Sequence, residues 1–452
     1  MSLQGSGTRP QDTPHGTTNL PAIADLETNG SSGSNGSNSA ADAAQLPADL
    51  QDERLIAGRG ISGAIAAFTA RLRSGDLGSV PVVVGLIIIW AVFQLANSSF
   101  LSSRNLVNLT LQTTSVGVIA LGIVLVLLLG EIDLSVGSVS GLSAAVLGVT
   151  FVNEGWPLVV SLVAGVVLGL VIGLFYGALY TRFGVPSFVI TLAGLLGFLG
   201  VQLLVLGKEG SLNLPYNSAL VGFATRSFLS PAIAYALIAV VVAIYVLTRL
   251  RTRSARATAG LSTAPTSMIA IKAGALALIL LVPVLILNGD RGVSSMFLLF
   301  LALVVATDLA VRRTRWGRSV VAVGGNVEAA RRAGINVRMI YLSVFAACST
   351  FAAVGGLLAA ARLVAVNQSS GGADTNLNAI AAAVIGGTSL FGGRGSAYSA
   401  LLGALVIMSI SNGLALLSLD SSVRYMVTAG VLLIAVTIDS LSRRSRQAHG
   451  RA

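Results

Sequence analysis

Apolar residues along this chain come in long blocks, with polar residues gathered into short intervals between them. Twelve apolar segments stand near 80–98, 113–130, 134–152, 157–180, 186–206, 230–248, 268–288, 294–311, 340–361, 377–392, 397–416 and 423–441. Most of them approach the roughly 20 residues that a helix needs to cross hydrocarbon. The pattern predicts an all-α polytopic membrane protein with about 10–12 transmembrane helices. The second, third and tenth segments are short or interrupted by glycine, so broken or re-entrant helices are expected there. Ten crossings is the alternative count.

Outside these blocks the chain changes character. Residues 1–54 are rich in Ser, Gly and Asn, as in GSSGSNGSNSA, and have no periodicity, which predicts a disordered cytoplasmic tail. No apolar core with a cleavage site occurs there, so a signal peptide is not expected. Residues 55–78 read as a mildly amphipathic juxtamembrane segment, 79–441 as the transmembrane domain and 442–452 as a basic cytoplasmic tail.

Composition agrees with a membrane protein: 54% of residues are hydrophobic and 10% charged, against about a quarter charged in soluble chains. The net charge of +11 does not point to nucleic acid. Arg71 and Arg73 precede the first segment, Arg249, Arg251, Arg253 and Arg256 follow the sixth, Arg312, Arg313, Arg315 and Arg318 the eighth, and Arg443, Arg444 and Arg446 the last. With every segment crossing once, all fall on one side. That asymmetry predicts both termini in the cytoplasm, in a multi-pass plasma-membrane protein. Cys348 is the single cysteine, and the two histidines lie in the tails. This excludes a disulfide framework and histidine-based metal or acid–base chemistry in the membrane. There is no phosphate-binding Gly-x-x-x-x-Gly-Lys-Ser/Thr loop, so the chain does not bind ATP by that route; no cofactor is expected.

Two glycine-bearing stretches interrupt apolar runs. In Gly130-Glu131-Ile132-Asp133-Leu134-Ser135-Val136-Gly137, two carboxylates stand close to the membrane. Asp133 or Ser135 is placed to cap a helix starting near Leu134. The same break also suits a helix interruption lining a translocation path, with Glu131, Asp133, Ser135 and Gly137 as candidates. The second stretch runs from Gly386 through Thr388, Ser389 and Arg394 to Ser396. Its place in the second half matches the first break's place in the first half, which predicts a pseudo-repeat. Arg394 is either a loop arginine or a partner for a carboxylate. Gly165, Gly169, Gly173 and Gly177 form a face of small residues, and Gly137 and Gly141 another, both suited to close helix packing. Polar residues in or near the spans are mostly neutral, including Asn108, Gln112, Thr191, Gln202, Asn376 and Asn412. They suit a neutral polyol, and equally suit interhelical hydrogen bonds.

The longest basic interval after the first segment is 312–339, containing Glu328-Ala329-Ala330 and, after three residues, Gly334. Good helix formers closed by a glycine predict a short helix there. Charge alone also fits a solvated cytoplasmic loop.

In order, GEIDLSVGS, GRSVVAVGGNVEAARRAGINV and GGTSLFGGRGS resemble the signatures of permease subunits of monosaccharide ABC importers of the ribose/xylose class, over about residues 80–441. Glu131 in place of the more usual glycine, and an additional hydrophobic pair near 268–311, look most like the xylose branch. The resemblance implies ATP-binding-cassette ATPase subunits, an extracytoplasmic sugar-binding protein and a second permease copy, with a homodimer preferred. It implies an ATPase contact at Glu328, Ala329, Ala330 and Gly334. Thr388, Ser389 and Arg394 of the second break join the first-break residues as candidates for a translocation path that works by alternating access. A stand-alone secondary sugar carrier or facilitator is the alternative, and the EAA-x-x-x-G loop argues against it.

Overall fold

The computed structural model describes residues 80–437, except 264, 424, 432 and 434–436. The expected tail at 1–54, the juxtamembrane segment at 55–78 and the basic tail at 442–452 lie outside the described residues. The twelfth segment is described in part, with helical residues at 421–423, 425–431, 433 and 437.

Among the described residues nine helices are long and apolar enough to cross a membrane. In chain order the helices are α1 (Val80–Ala96), α2 (Ser103–Leu128), α3 (Val136–Gly148), α4 (Leu158–Phe183), α5 (Ser187–Leu206), α6 (Ala219–Thr225), α7 (Pro231–Thr258), α8 (Thr266–Leu287), α9 (Ser295–Arg313), α10 (Arg315–Gly325), α11 (Val327–Arg332), α12 (Val337–Leu363), α13 (Ala373–Ile385) and α14 (Ala397–Leu416). A π-helical turn, Val149–Asn153, prolongs α3. Two three-residue strands, β1 (Ser211–Asn213) and β2 (Ala365–Asn367), pair antiparallel.

The bundle is organised on α2, which is buried almost throughout. It starts ten residues before the expected edge at 113, because its polar first turns have partners. Ser102 caps it by accepting the Asn105 N–H at 3.3 Å, and the Asn105 amide donates to Asn412 on α14 at 2.8 Å. α12 lies antiparallel beside α2, with Gly122 opposite Cys348 and Gly355 opposite Ser115 and Ile119. The glycine face of α4 packs on α12. A Cβ at Gly169 would stand 2.6 Å from the Ser349 carbonyl oxygen, and one at Gly177 would stand 2.8 Å from Leu342 Cα. Lipid supplies no hydrophobic force between helices, so this close backbone approach is what joins them.

α3 and α13 each have 13 residues, a length of roughly 20 Å against a hydrocarbon core of about 30 Å. α13 does not cross alone, as expected for a broken helix, whereas α3 with its π-helical turn forms the 18-residue stretch Val136–Asn153, one of the nine long enough to cross. Gly137 and Gly141 lie on the 370–376 segment: a Cβ at Gly137 would meet the Gly371 carbonyl oxygen at 2.7 Å and Asn376 Cβ at 2.9 Å. The first turns of α3 and α13 therefore lie side by side.

The segments 268–288 and 294–311, read above as one additional pair, part company. α9 enters the core through Met296, Phe300 and Val304, with Phe300 filling the space above Gly117. α8 instead pairs with α7 at the periphery, where only 6% of the α7 apolar window and 11% of the α8 window are buried.

Candidate functional site

The site is the place where both breaks and the 312–339 interval come together. The Gly393 N–H donates to the Leu128 carbonyl at the end of α2, at 2.9 Å. Gly324, in the last turn of α10, lies against that same carbonyl and against Gly393 N, so closely that any side chain there would clash with backbone. A Cβ at Gly392 would reach Gly324 O at 2.6 Å and Gly130 N at 3.0 Å. Gly130, Gly392 and Gly393 have φ of +82°, +82° and +72°, a region that side chains disfavour. Three glycine-bearing segments, distant in sequence, thus touch backbone to backbone.

Each candidate in the first break has a defined place. The Glu131 carboxylate accepts the Tyr180 hydroxyl (2.6 Å) and the Ser187 hydroxyl (2.6 Å), which stand at the end of α4 and the start of α5. Tyr180 stacks on Tyr341 of α12 with ring centroids 4.5 Å apart. Glu131 therefore fastens the break to the α4–α5 turn. Asp133 is buried, and its Oδ1 accepts both the Ser135 N–H (2.8 Å) and the Ser135 hydroxyl (2.7 Å), while Cys348 Sγ lies 3.6 Å from Oδ2. This corrects the expected cap. α3 begins at Val136 with Ser135 at its N-cap position and no side-chain cap bond. Asp133 instead shapes the turn before the helix, because its two oxygens are taken by the turn and by α12.

In the second break, Thr388 is buried, and its hydroxyl has no hydrogen-bond partner. Ser389 donates its N–H to the Arg394 carbonyl at 3.0 Å and accepts the Phe391 N–H at 3.2 Å, closing the loop on itself. The Arg394 side chain is exposed. The carboxylates of the first break are satisfied by hydroxyl, amide and thiol groups rather than by this arginine.

The 312–339 interval contains two helices. Thr314 caps α10 by accepting the Gly317 N–H (3.1 Å), and the Trp316 indole donates to Ser343 of α12 (2.8 Å). Asn326 caps α11 by accepting the Ala329 N–H (2.9 Å). Gly334 follows α11 with φ +80°. Glu328 and Ala329 are exposed, and Glu328 pairs with Arg331 at 2.6 Å. Ala330 is turned the other way, 4% exposed and packed in the permease core, so it is not part of an outward-facing surface.

Three participants escaped the sequence reading. Tyr180 and Ser187 hold Glu131 from 49 and 56 residues away. Asp308 in α9 pairs with Arg312 at 2.8 Å, and Ser396, the N-cap of α14, bridges them, donating to Asp308 at 3.3 Å and accepting from Arg312 at 3.1 Å. An acid inside an apolar run with arginine four residues on was the available signal for that pair.

A family model described as branched-chain amino acid transport system / permease component matches residues 105–436. The xylose transport system permease protein XylH of Escherichia coli (strain K12) is 36% identical over 374 residues, covering 82% of this chain and 94% of that protein. XylH of Haemophilus influenzae is 36% identical over 375 residues, covering 83% and 99%. The ribose import permease protein RbsC of Escherichia coli (strain K12) is 30% identical over 358 residues, covering 79% and 92%. No solved structure matches the chain.

Proposed function

The chain belongs to the family of branched-chain amino acid transport system permease components, and from that premise we propose how it works. It is the membrane-spanning permease subunit of a sugar importer of the ribose/xylose class. The sugar is D-xylose or a similar monosaccharide, delivered by an extracytoplasmic binding protein. ATP is hydrolysed on separate ATPase subunits, and two copies of the chain form the path. Both termini face the cytoplasm.

The observation that supports this reading is the backbone contact between the end of α10 and both breaks. A force applied to α11 and α10 by an ATPase reaches Gly324, and through it Leu128, Gly392 and Gly393, without crossing a flexible linker. Glu328, Ala329 and Gly334 form the docking knob, while Ala330 seats that knob on the permease. α3 and α13 present their first turns to one another, and helix starts that meet inside a bundle furnish the substrate site in many transporters. Asn376 Oδ1 and Gln202 Oε1, both buried beside those turns without a partner, are polar groups available to sugar hydroxyls.

A strain lacking high-affinity xylose uptake tests the reading. Expressed with its own ATPase and binding protein, the chain restores accumulation of labelled xylose at micromolar concentration, and omission of either partner abolishes it. Accumulation that persists without the ATPase assigns the chain to the stand-alone carriers instead.

A further inference from the structure

Each 13-residue helix is led in by a non-helical stretch, residues 131–135 before α3 and residues 367–372 before α13. The two helices leave in opposite directions. The end of α3 at Gly148 meets Leu212 and Val366 of the β1–β2 pair, whereas the chain after α13 meets Gly324 at Gly392 and Gly393. Residues 367–372 therefore stand on the face away from α10 and α11, the extracytoplasmic face in the orientation proposed above.

The two stretches are held differently. In the first, each Glu131 oxygen accepts a hydroxyl at 2.6 Å. The second is a turn closed on itself: Asn367 Oδ1 accepts the Ser369 N–H at 2.9 Å, and Ser370 Oγ accepts the Asn367 N–H at 2.9 Å. Among the described residues one side chain outside the turn bonds to it. Gln202, near the end of α5, is buried, and its Nε2 donates to the Asn367 carbonyl at 3.1 Å and the Ser370 carbonyl at 2.9 Å. Beneath the turn there is only glycine backbone, with Gly371 against Gly137 O and Gly141, and the Ser370 carbonyl against Gly141. Backbone on glycine packs closely but has no side-chain knob to withdraw when the surfaces part.

The covered arrangement also carries a penalty. Gln202 Oε1 and Asn376 Oδ1 are enclosed beside the turn and, among the described residues, have no partner. Buried acceptors without donors are costly, and uncovering them relieves that cost by admitting water or sugar hydroxyls. A turn that is rigid in itself, attached from outside by one side chain and penalised when closed has the properties of an element with two positions.

We propose that residues 367–372 are a movable strap over the meeting point of α3 and α13, and that Gln202 is the positioning residue that latches it closed. Its purpose, to admit sugar from the extracytoplasmic side, rests on the transport reading above. The latch itself does not depend on what is carried.

The latch is tested on the full-length chain in lipid nanodiscs, where both faces are open to reagent. The rate at which an impermeant methanethiosulfonate modifies Asn376→Cys, in a Cys348→Ala background, reports uncovering. Gln202→Met, similar in size but without donors, raises that rate about tenfold or more, as two lost hydrogen bonds require. Native Cys348, in a chain that keeps Asn376, stays unreactive with either residue at 202. An unchanged rate at Asn376→Cys, or an equal rise at Cys348, overturns the latch. A second measurement needs no substitution: amide hydrogen exchange over residues 365–376 of the wild-type chain, in proteoliposomes that accumulate xylose. Exchange there rises when sugar-loaded binding protein is added, as local opening exposes the turn's N–H groups. Accumulation without any rise overturns the strap as a gate, whereas absence of accumulation counts against the transport reading and leaves the nanodisc result to judge the latch.

Discussion

The link between the first break and the α4–α5 turn is open to a quantitative test through Glu131 and Tyr180. Each carboxylate oxygen of Glu131 has one hydroxyl at 2.6 Å, from Tyr180 and from Ser187. Tyr180→Phe removes one donor and leaves the ring, which keeps its stacking on Tyr341. A hydrogen bond to a charged group contributes about 1.5–3 kcal/mol. Ser187 remains, so the loss should fall near the lower end, about 1.5 kcal/mol. Glu131→Gln removes the charge but keeps one acceptor, and should cost a similar amount. Because both changes break one bond, the double variant should be less destabilised than the sum of the singles, with a coupling of about 1–1.5 kcal/mol. Thermal unfolding of the three variants in detergent, followed alongside xylose uptake per folded molecule, gives both quantities. Stabilities that add within about 0.5 kcal/mol would show that the two groups are energetically independent, and the clasp would have no place in the mechanism.

Other outcomes follow from individual contacts. Gly334→Val forces a β-branched residue to φ +80°, at a cost of roughly 1–2 kcal/mol; inserted protein should persist while ATPase recovery in pull-downs and ATP-driven uptake fall, and wild-type values for both would refute the docking role. Asp133→Ala strands the buried Ser135 donors, at about 1–3 kcal/mol for each, whereas Asp133→Asn keeps an acceptor. Folded yield by size exclusion, compared with uptake, should therefore rank wild type above Asn and Asn above Ala, with uptake falling further than yield. Gly173→Leu drives a side chain into the α12 backbone at Phe345 and Ala346; overpacking of about 1–3 kcal/mol or more should lower folded yield, and a normal yield would contradict the α4–α12 interface. With Cys348→Ala as background, a cysteine between residues 259 and 265 should be shielded from an impermeant thiol reagent outside intact cells, and labelling there would reverse the proposed orientation.

What the sequence made legible depended on whether hydropathy and contact coincide. The segment 397–416 matches α14 residue for residue because its apolar block is bounded by the Ser396 cap and ends where the helix ends. The apolar segment 377–392 overruns its helix: Gly387 at φ +100° follows the helix end at Ile385, and hydropathy alone ignores that turn. α2 starts ahead of its apolar block because Asn105 is polar yet buried, satisfied by Asn412 from 307 residues away. The direction of Ala330 was hidden because a six-residue helix is too short for a periodic face to emerge. β1 and β2, at three residues each, left no alternating pattern. The glycines of the two breaks were visible as interruptions, but their meeting at Gly324 is a long-range contact that no local spacing encodes.

The central claim is that sugar movement through this chain is driven by ATP hydrolysed elsewhere and delivered through α11 and α10. Proteoliposomes test it most directly, with the permease and its ATPase reconstituted, ATP enclosed, and binding protein with labelled xylose outside. The account predicts accumulation above the external concentration only when permease, ATPase, ATP and binding protein are all present, and none with Gly334→Val. Equilibration of xylose by the permease alone, without ATPase or ATP, would contradict it.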